Sequence, residues 1–161
     1  MPWTAYPDPD DTIHDWLKSL YTPYRNALTD PSVIPLETEI DWDSYWAGFN
    51  STSFIVWEDV TTHRNLGLGV HQIEFEATQV VRVTHRWIHA GKPPILKQIR
   101  EFLTRKLHEN ITPLPTTLTN AGIRYMLPID SRLFVETERT AQQDFWTLHV
   151  RIMTRVLNSI V

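Results

Sequence analysis

Acids, histidines and glycines are the residues of this 161-residue chain that could carry chemistry. Glu58 and Asp59 stand together, and Glu74 and Glu76 follow on an alternating apolar stretch. Carboxylates grouped this way can hold Mg²⁺ for phosphodiester hydrolysis when an acid on one strand meets a Glu-x-Lys pair on the next. Here Glu76 occupies the lysine position, so no base or electrophile stands beside the acids. Their alternation with apolar residues also fits the wet face of an ordinary strand. His85 and His89 are four apart, as helical metal ligands often are. On a strand, four residues span about 13 Å, too far to share one ion. His14, His63, His71, His108 and His149 are scattered. Gly67-Leu68-Gly69 lacks the rest of a dinucleotide fingerprint, and Gly91-Lys92 lacks the P-loop frame. The chain has no cysteine, which removes disulfides, cysteine zinc sites and thiol catalysis together. No catalytic residue, metal ligand or cofactor is therefore expected.

Composition is that of an ordinary folded domain, 42 % apolar and long enough for one core. Seven tryptophans supply large buried area and potential interface anchors. The net charge of −4 is unevenly spread. Residues 1–60 hold 11 acids and 2 bases (−9), whereas residues 61–161 hold 8 acids and 13 bases (+5). This split reads either as two differently solvated surfaces or as complementary halves for head-to-tail self-association. A sequence pI near 5.9 lacks the basic footprint of a nucleic-acid binder, so no sequence-specific nucleic-acid partner is expected. Met1–Asp11 is polar and rich in Pro and Asp, and reads as an extended segment rather than a signal peptide. No apolar run approaches ~18 residues, so no membrane-spanning helix is expected.

The elements that would position these residues follow from periodicity. Ile13, Trp16, Leu17, Leu20, Tyr21, Tyr24 and Leu28 make a helical stripe over Thr12–Leu28, with Thr12 and Asp15 as a capping pair. Pro23 should end or kink that helix. Asp30–Asn50 has no clean period and reads as an irregular loop rich in acids and aromatics, pinned to the surface. Ser53–Val60 is a strand and Thr61–Gly69 its turn. Val70–His89 alternates for about twenty residues, with His71, Ile73, Phe75, Ala77, Gln79, Val81, Val83, His85 and Trp87 as the core-facing set. At ~3.3 Å per residue it spans about 66 Å, against a diameter of roughly 40 Å for a globule of this size. Such a strand must bend, with a bulge near Ala77-Thr78, or project as a hairpin arm.

Pro93–Asn110 is an amphipathic helix whose buried stripe is Ile95, Leu96, Ile99, Phe102, Leu103, Leu107 and Ile111. Lys97/Glu101, Glu101/Arg105 and Arg105/Glu109 form i,i+4 pairs on its wet side. Ile123–Leu127 is a strand stopped by Pro128, Leu133–Val135 a short strand, and Glu136–Asp144 a polar connection. Phe145–Val156 closes the chain as a strand, with Trp146, Leu148, Val150, Ile152 and Val156 on one face. The expected fold is one α+β domain over 1–161, a single mixed or antiparallel sheet with long hairpins, packed by the N-terminal and central helices.

This layout resembles the tail terminator and tail-completion (neck) proteins of tailed phages and related viruses. The corresponding parts are Thr12–Leu28, the pair Ser53–Val60 and Val70–His89, Pro93–Asn110, and the pair Leu133–Val135 with Phe145–Val156. The resemblance implies a structural virion protein, not an enzyme, assembled in the host cytoplasm. It implies a homo-oligomeric ring, usually a hexamer, that caps the tail tube protein and meets a head-completion or connector protein. Glu37, Glu39, Asp41, Trp42 and Asp43 of the acidic loop, with Arg82, Arg86, Arg151 and Arg155, are the expected subunit or partner contacts. Two other classes stay open: a non-viral oligomeric binding or adaptor module, and a Mg²⁺-dependent nuclease. The latter shares a helix–three strands–helix order with restriction-enzyme-like nucleases.

Overall fold

A computed structural model describes residues 9–65, 72–140 and 142–159. Helix α1 (Pro9–Asn26) leads through two short 3₁₀ turns, Pro31–Val33 and Glu37–Glu39, into β1 (Ile40–Trp42) and β2 (Thr52–Asn65). Strand β3 (Gln72–Arg86), α2 (Pro94–Glu109), α3 (Thr116–Asn120), β4 (Ile123–Glu138) and β5 (Gln143–Ser159) follow. The strands form one mixed sheet in the order β1-β2-β3-β5-β4. Only β1 runs parallel to its neighbour; the other three pairings are antiparallel. The α+β expectation is met.

One side of the sheet carries the helices and the main core. Phe54 pairs with Val83, Val83 with Leu148 and Leu148 with Leu133, so these four share that face. Against them pack Ile13, Trp16, Leu17 and Tyr21 of α1 and Leu96, Ile99, Phe102, Leu103 and Leu107 of α2. The expected α2 stripe is buried as read, with Ile95 and Ile111 at its margins. Tyr21 and Phe102 meet edge to face at 5.7 Å, locking the two helices over the sheet. Of the expected ion pairs on α2, Glu101–Arg105 closes at 3.0 Å, and Lys106–Glu109 adds a second at 3.3 Å.

Several local expectations are corrected. Helix α1 runs unbroken to Asn26 with Pro23 inside it. Pro23 lies in the last turn, where few hydrogen bonds remain to lose, and the buried stripe on either side holds the helix on the core. Thr12 sits within the first turn of that helix rather than capping it. The Asp30–Asn50 segment is not wholly irregular, since Ile40–Trp42 pairs in parallel with Thr52–Phe54. The bulge falls on β2 between Asp59 and Arg64, opposite Thr78–Glu76, while β3 itself stays in register with β5 from Gln72 to Arg86. So β3 is no free arm along that length. Pro128 does not stop β4, which runs for 16 residues in all, from Ile123 to Glu138. Strand β4 is an edge, where a missing ladder donor costs little, and the register shifts between Pro128 and Asp130 absorb it. The polar stretch from Glu136 is therefore strand and tight hairpin. Of the expected turn Thr61–Gly69, residues 61–65 belong to β2 instead, and residues 66–69 lie outside the described residues, as do Val70, His71 and residues 1–8.

Candidate functional site

The face of the sheet away from the helices is the unexpected one. Alternation marks Thr78, Val80, Arg82 and Thr84 as solvent-facing, yet all four are buried. The cover over Arg82 comes from the segment after β1. Asp41 fixes that segment: its carboxylate accepts from the backbone amides of Gly48 and Asn50 at 2.9 and 3.0 Å and from the Asn50 side chain. Partial burial works against the Asp41 carboxylate, but these donated hydrogen bonds prevail and hold its pKa below the usual range. Arg86 adds a second tie, donating to the carbonyls of Gly48 and Asn50.

Tyr45 and Trp46, carried on that clamped segment, lie over Arg82. The guanidinium sits 3.7 Å from the Tyr45 ring centre and 4.6 Å from that of Trp46. Arg82 Nε donates to the Tyr45 carbonyl (3.1 Å), and Nη2 donates to Glu136 Oε2 (2.7 Å). Nη1 lies 3.1 Å from His149 Nε2. A guanidinium only donates, so His149 Nε2 must accept, and the imidazole is neutral with its proton on Nδ1. Burial, then the Arg82 charge, pushes His149 down to about 4, with Glu136 opposing. Trp57 and Phe134 meet the His149 ring edge to face at 5.5 and 5.0 Å, and Trp46 stacks on buried Phe145 at 4.9 Å. Four elements and one loop therefore converge on a single buried cation. The arrangement fixes the loop to the sheet.

The expected contact residues separate on this geometry. Arg82 is corrected: it has no exposed surface and is enclosed by its own chain, so no partner can reach it. Arg86 and Asp41 serve the loop clamp just described. Trp42 packs inward on Phe54 at 4.8 Å and Tyr21 at 5.7 Å, and its indole N–H donates to the Glu37 carbonyl. Glu37 accepts from the Thr22 hydroxyl. Asp43 takes a left-handed backbone (φ 63°) and brings a carboxylate oxygen 3.1 Å from His14 Nε2, close but not aligned as a hydrogen bond. Glu39 stays exposed. Arg151 forks onto Asp130 with contacts of 2.6–3.1 Å, which lowers the pKa of Asp130. Arg155 lies 3.6 Å from Glu76 and 5.3 Å from the Tyr125 ring centre, both side chains remaining half-exposed or less. Neither a known protein-family model nor a curated protein matches this chain.

Two further features lie on the outside. Phe49 and Ile88, 96 % and 93 % exposed, project from the same end of the sheet, which the Arg86 ties bring together. Val135 and Ile129, about half exposed, lie on the edge strand β4. Among the described residues, no three His, Cys, Asp or Glu side chains converge as an ion site, and no helix is long and apolar enough to cross a membrane. Glu136, His149, Tyr45, Trp46 and Phe145 are the site residues that sequence reasoning passed over. The only signal for them was the cluster of aromatics in 42–49, read as pins without their anchor.

Proposed function

We propose that this chain is a structural subunit that self-associates through its sheet into a closed ring, of the kind that terminates a phage tail tube and joins it to head-completion proteins. The observation that supports the reading is the state of the two sheet edges. Strand β4 pairs with β5 on one side, and no described strand pairs with its other side. Strand β2 is covered by β1 only at Thr52–Phe54, although it runs on to Asn65. Long outer strands are templates for further strands, and natural proteins blunt or cover them unless something pairs there. Two outer strands of different sequence on one subunit suit a heterologous contact, which closes into a ring when the rotation permits. Phe49 and Ile88 add apolar surface for a second partner above or below such a ring. A ring of six, a virion location and the tube and connector partners come from the resemblance in layout.

Sedimentation velocity on the purified chain at tens of micromolar tests the self-association. The expected species has a mass several times 18.9 kDa, six-fold for the hexamer. A chain that stays at one copy across that range overturns the reading.

A further inference from the structure

The charge of the subunit is split in space as well as in sequence. Helix α1 lies over β2, beside the outer strand β1, while α2 lies over β5 and the opposite outer strand β4. On the first flank, Asp11 and Asp15 stand one turn apart on α1. Asp15 and Asp43 each bring one carboxylate oxygen 3.1 Å from a different nitrogen of the His14 ring, and their side chains stay 80 % and 71 % exposed. Glu37 accepts from the Thr22 hydroxyl, a neutral partner, and Glu39 is exposed just before β1. Lys18 lies over the Trp42 ring at 5.4 Å, and Arg25 donates to the Ile34 carbonyl. These five acids against these two bases leave −3. On the second flank the acids are taken: Glu101 by Arg105, Glu109 by Lys106 and Asp130 by Arg151. Among the described residues, Lys97, Arg100 and Arg132 close on no acid, which leaves +3. Arg100 is aimed without being neutralised, since its Nε donates to the Ser131 hydroxyl on β4 at 2.9 Å. Lys97 and Arg100 line one shallow depression of about 460 Å³ with Thr104, His108 and the Glu101–Arg105 pair.

We infer that the α2–β4 flank of one copy docks on the α1–β1 flank of the next, with Lys97 and Arg100 facing the acids Asp11, Asp15, Glu39 and Asp43. This rests on the ring reading above and names the surfaces that meet in it. A single exposed ion pair contributes little. Two patches of opposite net charge act together, over a Debye length of about 10 Å at 0.1 M salt, and they both steer the encounter and fix its orientation. The two flanks lie at opposite ends of the strand order, so one subunit presents both signs on opposite sides. Unlike flanks attract and like flanks repel, which favours head-to-tail addition over a two-fold contact of one flank with itself. Arg151 is not needed for this contact, because Asp130 already holds it.

Two charge-reversed chains test it by sedimentation velocity. Asp11→Lys with Glu39→Lys makes both flanks cationic, and Lys97→Glu with Arg100→Glu makes both acidic. Each chain alone should associate about tenfold more weakly than the wild type. An equimolar mixture should form species that neither forms alone, because the unaltered basic flank of the first meets the unaltered acidic flank of the second. A second measurement needs no variant: raising the salt from about 50 to about 500 mM should weaken wild-type association several-fold. Reversed chains that assemble like the wild type, a mixture no heavier than its parts, or wild-type association indifferent to salt would overturn the inference and leave the ring reading standing. A wild-type chain that never assembles would defeat both.

Discussion

Acid should loosen this protein through one side chain, His149. Its imidazole is neutral because Nε2 accepts from Arg82 and because the ring is packed between Trp57 and Phe134. Protonation would set an N–H against an N–H and a cation 3.1 Å from a cation. The pKa falls from an ordinary 6.5 to about 4 in the folded state. A group whose folded pKa is depressed in this way binds more protons when unfolded, so stability is lost as pH falls from about 6.5 toward 4. At about 1.4 kcal/mol per pH unit the difference amounts to about 3 kcal/mol. His149 is only half-buried, and solvent screening reduces the figure to about 2 kcal/mol. For a domain of this size that corresponds to about 4–8 °C in Tm. The charged groups facing the ring are Arg82 from β3 and Glu136 and Arg132 from β4; β2 presents Trp57. The assay is urea unfolding at pH 7 and pH 4 for the wild type and for His149→Gln, whose amide oxygen can still accept from Arg82 but does not titrate. The wild type should lose about 2 kcal/mol more than the variant across that interval. His85, also depressed chiefly by burial, and the carboxylates Asp41 and Asp130 contribute equally to both proteins and cancel. Parallel pH profiles would refute the reasoning.

Glu136→Ala should cost about 3 kcal/mol at pH 7, because it leaves Arg82 buried without its anionic partner. Glu136→Gln should cost less, since an acceptor remains, and chemical denaturation of the two variants side by side separates charge from hydrogen bonding. Asp41→Ala should cost about 1 kcal/mol, the net worth of the hydrogen bonds it accepts. Amide exchange should accelerate at Gly48 and Asn50 and leave the α2 core unchanged; unchanged exchange at those two amides would contradict the loop clamp.

Much of the helical side was legible in the sequence. The α2 stripe is one-sided and uninterrupted, and Trp146 to Ile152 alternate without a break, so local pattern and tertiary burial agree there. The second face was not legible. Arg82, Thr84, Thr147 and His149 look like wet-face residues because alternation assigns polar side chains to solvent. What buries Arg82 is Tyr45 and Trp46, some 37 residues away along the chain, and no local period encodes that roof. The unity of β4 was hidden for a different reason. Pro128 reads as a breaker, and only the knowledge that β4 is an outer strand makes it harmless. The length of β3 was visible from sequence; its pairing within one sheet, instead of as an arm, was decided by β5 reaching the full described length of β3.

The central claim is that this sheet is finished by other copies of the same chain. Electron-microscope images of the purified protein, at a concentration where sedimentation gives its heaviest species, address it most directly. The account predicts closed rings of one fixed subunit number. Uniform single-copy particles, or open aggregates with no repeating geometry, would contradict it.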